Sequence, residues 1–330
     1  AVGDGVALSS TLVFDHPTAR ALALASADSS KHDAAFSIQD NWALALTTVA
    51  AVDIRGASCV LPASCHSPTC LWHATTTASD FVVTAPLLRW GELVNDDGQV
   101  VPQDGAFVTA PELFDAACFQ IAHVEASVMD MQQRLVLENM YSAIRNSGRN
   151  RTQIHAQAVG VYVGIWADTG WGRVLDSSMH AKSAYRISAS SCSMAAGRVS
   201  YCLGLRGPSF SVDTACTAGL TACHIACGAV LSSECESAVA AGVNMNFFPD
   251  MFAVMNGFKQ VNGRCYSFDH RASGFVASEG CVAAVVNSSE RTRAAASLAA
   301  RVVCNVTRCA GKSASLTAPN GAAQQRLIQS

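Results

Sequence analysis

Residues Gly207 to Asn244 read GPSFSVDTACTAGLTACHIACGAVLSSECESAVAAGVN. Ser209 to Thr214 has the β-branched and aromatic content of a short buried strand, and the residues that follow are Ala, Leu, Ile and Cys at helical spacing. Cys216 falls at the join. The small residues Ala215, Thr217, Ala218 and Gly219 around it leave room for a sharp strand-to-helix turn and for a substrate chain near the backbone. A thiol there has two advantages: a helix N-terminus stabilises an anionic sulfur, and unpaired backbone N–H groups can stabilise a developing oxyanion. The chain has 14 cysteines, and most free cysteines in small-residue helices are simply compact hydrophobes. Position alone leaves both readings of Cys216 open.

Composition sets the outer bounds. Half of the 330 residues are hydrophobic and 14% are charged, so the chain can bury a sizeable core. A net charge of -3 exerts no long-range pull on nucleic acid or an anionic membrane surface. No run of about 20 apolar residues predicts a spanning helix, and no signal peptide is legible. The expectation is a protein that binds neither nucleic acid nor membrane. Its thiols are expected to be reduced and mostly buried, as in the cytoplasm. Cys223 and Cys227 share one helix face, His224 faces elsewhere, and no paired Cys-x-x-Cys knuckles occur, so no metal site is expected.

Taken in order, residues Leu8 to Ala25 form one loop and one short amphipathic helix opened by Pro17, too little to fold alone. Ser26 to Asp40 is polar and mixed in charge, as a linker would be. Val49 to Ser58 predicts a first strand, and Pro68 opens a helix whose Trp72 is expected to pack. Asn95 to Gly98 is a turn. The segment MDMQQRLVLENMYSAI from Met129 predicts a long amphipathic helix, whose Gln132, Gln133 and Arg134 either shape a pocket entrance or, as the simpler expectation, hydrogen-bond the edge of the core. His123 is expected at the surface. Gly160 to Ile165 is a buried strand, followed by a loop in which Trp166, Asp168 and Trp171 either line a substrate channel or simply pack. Met194 to Tyr201 lies in a small-residue helix. Beyond the Cys216 helix, Glu236 to Val243 and Val282 to Val286 predict two more strands.

Several of these stretches, in this order, resemble one family. VDTACTAGL is similar to the nucleophile motif of the β-ketoacyl synthases, with Thr217, Ala218 and Gly219 where polyketide-type members usually carry serines. The resemblance extends over CVLPAS, Pro86 to Trp90, Gly105 to Val108, the FDAACFQIAHVEA and MDMQQRLVLE region, AAGRVSY from Ala195, and GRCYSFD with GFVASEG from Gly263 to Gly280. It closes on SLTAPNGAAQQR from Ser315. Residues 8–25 are similar to the last helix of an acyl carrier protein domain. The resemblance divides the chain into a carrier tail (1–25), a linker (26–45) and a ketosynthase domain (46–330), as a piece cut from a modular polyketide synthase.

The resemblance also carries expectations about fold and chemistry. It implies an α/β, thiolase-like fold of two similar halves, each with a five-stranded mixed sheet layered with helices, the N-terminal half complete here and the C-terminal half truncated. It implies Cys216 as the acyl-accepting nucleophile and acyl and malonyl thioesters as substrates. The implied partners are acyl carrier protein domains bearing 4'-phosphopantetheine, with no cofactor held covalently by this chain. A homodimer joined through Phe210 to Asp213 is implied as well. Glu279 is expected near the site in a structural hydrogen-bond network, with a solvated turn carboxylate as the alternative, and Asp269 is read the same way. The two enolate-stabilising histidines of the family sit in HGTGT and NxGH motifs, and none of the nine histidines here matches either. The chain as it stands is therefore expected not to condense. The alternatives are an inactive ketosynthase-like dimer scaffold, a coenzyme A thiolase, and a cysteine hydrolase of the α/β type. That last reading wants Gly where Thr214 and Ala218 stand.

Overall fold

The computed structural model describes residues 51–86, 89, 104–167, 169–178, 182–249, 263–267, 269–289, 300–315 and 318–329. The carrier tail, the linker, the Asn95–Gly98 turn and Asp168 lie outside the described residues. In chain order the strands are β1 (Val52–Val60), β2 (Val83–Thr84), β3 (Asp104–Ala106), β4 (Val159–Ile165), β5 (Ser209–Val212), β6 (Ser237–Asn244), β7 (Ala277–Ser278), β8 (Gly280–Ser288) and β9 (Ala300–Val302). The helices are α1 (Pro68–Thr76), α2 (His123–Ala126), α3 (Met131–Asn146), α4 (Arg151–Ile154), α5 (Trp171–Asp176), α6 (Arg186–Ser190), α7 (Ser193–Leu203), α8 (Ala218–Leu231) and α9 (Gly321–Gln329).

The main sheet has the order β5-β4-β6-β8-β1-β9, and a three-stranded sheet has the order β2-β3-β7. β4 runs parallel to both β5 and β6, whereas β8 is antiparallel to β6 and to β1. The expected mixed five-stranded sheet is present, with the short β9 added at its edge. β9 is held there by Asp53, whose fully buried carboxylate accepts from Arg55 Nη2 at 2.7 Å and from Arg301 Nε at 2.8 Å. Burial pushes the Asp53 carboxyl up, but Arg301 and Arg55 together outweigh it and hold it below its ordinary value.

Alternation along the strands builds three layers. Val159, Val161, Val163 and Ile165 of β4, with Val239, Ala241 and Val243 of β6, face a core shared with α3 and α7. Tyr162, Ala238 and Ala240 face the other way, against Ala222, Ala226, Ala229 and Val230 of α8. On that second face β4 also presents Gly160 and Gly164. A Cβ on Gly164 would lie 2.3 Å from the carbonyl carbon of Ala218. One on Gly242 would lie 3.0 Å from the Cα of Gly219. The start of α8 therefore rests on the sheet almost backbone to backbone.

Helix ends follow their local chemistry. Ser67 caps α1 by accepting from the Cys70 N–H at 3.1 Å, with Pro68 behind it, and Asp130 caps α3 by accepting from the Gln132 N–H at 2.8 Å. Trp72 departs from expectation: it is 72% exposed, because α1 buries only Ala74. Trp171 is buried instead, its Nε1 donating to Val128 O at 3.0 Å. Among the described residues no helix is long and apolar enough to cross a membrane.

Two outcomes test this architecture. Gly164→Ala drives a methyl group into the backbone of α8 and is expected to cost about 1–3 kcal/mol in urea unfolding; unchanged stability would contradict the seating of that helix. Asp53→Asn is expected to lower the melting temperature at pH 6. The carboxylate's contribution is lost as pH falls through its lowered folded value, so melts of the two proteins should converge only below the ordinary carboxyl value of 3.8.

Candidate active site

The parallel arrangement of β4, β5 and β6 places Ile165, Val212 and Asn244 at one edge of the sheet, where ligands of open α/β folds are held. The chain leaves β5 at Val212, two residues before the expected end at Thr214, because Asp213 turns it: Asp213 Oδ1 accepts from the Ala215 N–H at 2.9 Å. A 3₁₀ turn, Ala215–Thr217, leads directly into α8. It is fastened by Thr217, whose Oγ1 donates to Thr214 O at 2.9 Å, and by Thr214 Oγ1 and Thr221 Oγ1 3.0 Å apart. Ala215 has φ +53°, a left-handed conformation unusual for a residue with a side chain.

Cys216 sits in this turn, exposed and free of disulfide. It lines a cavity of about 700 Å3 together with Gly164, Trp166, Gly219, Asn244, Asn246, Phe275 and Glu279. Cys59, Cys65, Cys227, Cys235 and Cys281 are buried. Cys223 is half-buried and Cys227 buried on α8, while His224 Nδ1 meets Asn305 Oδ1 at 3.0 Å. Among the described residues no group of three metal-ligating side chains occurs.

Glu279 reaches the same edge because antiparallel β8 starts where β6 ends, with Gly280 opposite Asn244. It is 3% exposed. Its Oε2 accepts from Arg89 Nη2 at 2.7 Å and from the Val108 N–H at 2.9 Å, and its Oε1 accepts from the Asn246 N–H at 3.1 Å. Burial pushes its carboxyl up, against the pull of Arg89 and the two backbone donors. Glu279 is thus the knot of a buried network behind the cavity, not a solvated turn carboxylate. Asp269 is the surface case, paired with Arg271 at 2.9 Å.

The three polar residues opening α3 also tie structure together. Gln133 Nε2 donates to Ser188, Ala189 and Ser191 carbonyls, Arg134 Nε donates to Met129 O, and Gln132 Nε2 donates to Trp166 O at 3.2 Å. The last bond fixes the loop that carries Trp166 into the cavity wall. Trp166 and Trp171 therefore divide between the two uses the sequence allowed. His123 is exposed. Sequence reading passed over Leu61, Phe275 and Asn246, all of which line the cavity.

Residues 50–292 match the family model described as the β-ketoacyl synthase N-terminal domain. The chain is 33% identical over 335 aligned positions to mycoketide-CoA synthase of Mycobacterium tuberculosis, covering 98% of this chain and 8% of that protein. It is 36% identical over 242 positions to a mycocerosic acid synthase-like polyketide synthase of Mycolicibacterium smegmatis, covering 71% of this chain and 11% of that protein. Among solved structures, the ketosynthase from module 6 of the bacillaene synthase of Bacillus subtilis 168 superposes with a TM-score of 0.73 at 27% identity. That superposition covers 84% of this chain and 47% of the ketosynthase. The chain thus spans only a small part of its curated relatives, and what it spans, from strand order to the edge where Cys216 sits, belongs to the β-ketoacyl synthase family as a portion of a polyketide synthase ketosynthase domain.

Proposed function

We propose that Cys216 is the acyl-accepting nucleophile of this ketosynthase. The observation that carries this reading is an exposed thiol, in a turn between a parallel strand and a helix N-terminus, at the wall of a cavity large enough for an acyl chain. The Cys216 sulfur attacks the carbonyl carbon of an acyl chain brought as a thioester on the 4'-phosphopantetheine arm of an acyl carrier protein. A new C–S bond forms to Cys216, the bond to the carrier sulfur breaks, and the thiol proton ends on the departing carrier thiol. In the decarboxylative Claisen step a malonyl-type thioester loses CO₂. Its enolate carbon then attacks the Cys216 thioester, and the cysteine sulfur leaves as the β-ketoacyl chain forms on the carrier.

No histidine lines the cavity among the described residues, and none in the sequence matches the family's two decarboxylation motifs. We therefore assign acyl acceptance to this chain and not the complete condensation. The carrier tail at residues 1–25, the linker at 26–45 and a cytoplasmic setting belong to the same reading.

We also propose a homodimer joined through β5. That strand is the edge of the main sheet, and Phe210 on it is 54% exposed. An open edge strand offers unpaired backbone groups to a second copy.

A carrier-thioester mimic should label Cys216, located by peptide mass spectrometry, and the label should vanish in Cys216→Ala. Equal labelling of the exposed Cys118, Cys304 and Cys309 would sink the assignment. Complete absence of labelling would favour the scaffold reading. In sedimentation the chain is expected to run as a dimer and Phe210→Asp as a monomer; a monomeric unsubstituted chain would refute the β5 interface.

A further inference from the structure

Asn246 stands two residues beyond β6 and is 5% exposed, yet it lines the Cys216 cavity. Its backbone is fixed, since its N–H donates to Glu279 Oε1 at 3.1 Å. Its side chain is not: Nδ2 has no hydrogen-bond partner. A buried amide donor left unpaired costs about 1–3 kcal/mol, and such groups are few in folded proteins. Apolar side chains dominate the surrounding wall, among them Leu61, Trp166, Val243, Phe275 and Val282. None of these side chains offers an acceptor.

Depth indicates what the missing partner is. Cys216 is exposed, so a carrier arm meets the sulfur from the solvent side, and what extends beyond the sulfur toward a residue as buried as Asn246 is the acyl chain itself. Cys216, in the turn between β5 and α8, and Asn246, just beyond β6, line the same cavity of about 700 Å3. An acyl chain on the sulfur that fills this cavity therefore runs along the wall that Asn246 shares.

We propose that Asn246 is a specificity-determining residue that donates from Nδ2 to an oxygen on the third carbon of the acyl chain held by Cys216. The site then prefers chains that keep a hydroxyl or ketone oxygen there over fully reduced chains. A pocket built to hydrogen-bond a substrate oxygen discriminates against the analogue lacking it, because its own buried donor is left unpaired. This inference rests on the reading of Cys216 as the acyl acceptor.

The test compares the rates at which the chain is acylated on Cys216 by 3-hydroxyhexanoyl (both enantiomers) and hexanoyl thioesters of N-acetylcysteamine, in the unsubstituted protein and in Asn246→Leu. One hydroxy enantiomer is expected to react about tenfold faster than hexanoyl. That ratio is expected to collapse in Asn246→Leu while the hexanoyl rate holds or rises. A thermal melt checks that the variant folds, and Asn246→Ala serves in its place if it does not. A ratio near one in the unsubstituted protein, or a ratio the variants leave unchanged, overturns the proposal. An equal fall with both probes also overturns it, since the donor would then serve the thioester carbonyl or the arm. No acylation by either probe overturns the role of Cys216 itself, a separate failure.

Discussion

The contact on which the site depends is the approach of helix α8 to the sheet. Three residues without side chains, Gly164, Gly219 and Gly242, let the first turn of the helix lie on β4 and β6 at backbone distance. The fit is strictest at Gly164, where a methyl group would overlap main-chain atoms of Ala218 and Gly219, which no rotamer change relieves. Because Cys216 immediately precedes that turn, the fit that seats the helix also sets the height of the sulfur above the strand ends. Packing and chemistry share the same few residues.

A second constraint comes from strand direction. β4, β5 and β6 deliver their carboxyl ends to one edge, and antiparallel β8 delivers its amino end there, so segments far apart in sequence meet. Glu279 exploits this meeting. By accepting from Arg89, Val108 and Asn246 it joins the three-stranded sheet region, the loop after β3 and the end of β6 through one buried carboxylate. With three charge-assisted hydrogen bonds, the carboxylate is compensated where an isolated one would not be tolerated.

The strands around the site were legible because alternation and β-branching mark them, and Cys216 stood out because small residues cluster where the pattern changes from strand to helix. The ends were less legible. β5 stops at Val212, since the Asp213 side chain accepts from the Ala215 N–H two residues on and turns the chain, an interaction whose geometry composition does not encode. Trp72 was expected to pack, but whether a residue on a nine-residue helix faces the core depends on how that helix docks, and α1 docks on Ala74. The cavity wall was the least legible part. Leu61, Phe275 and Asn246 reach it through tertiary pairing alone, with no local pattern to distinguish them from ordinary turn and strand-end residues.

The left-handed backbone of Ala215 has a consequence for local dynamics. A non-glycine residue in that conformation stores about 1–2 kcal/mol that relaxes as soon as its surroundings stop enforcing it, and the bonds that enforce it come from Asp213, Thr217 and, through Thr221, the first turn of α8. Once the helix start lifts, the turn has an energetic reason to uncoil. Among the described residues lining the cavity, the segment bearing the sulfur has a built-in incentive to open before the sheet beneath it does.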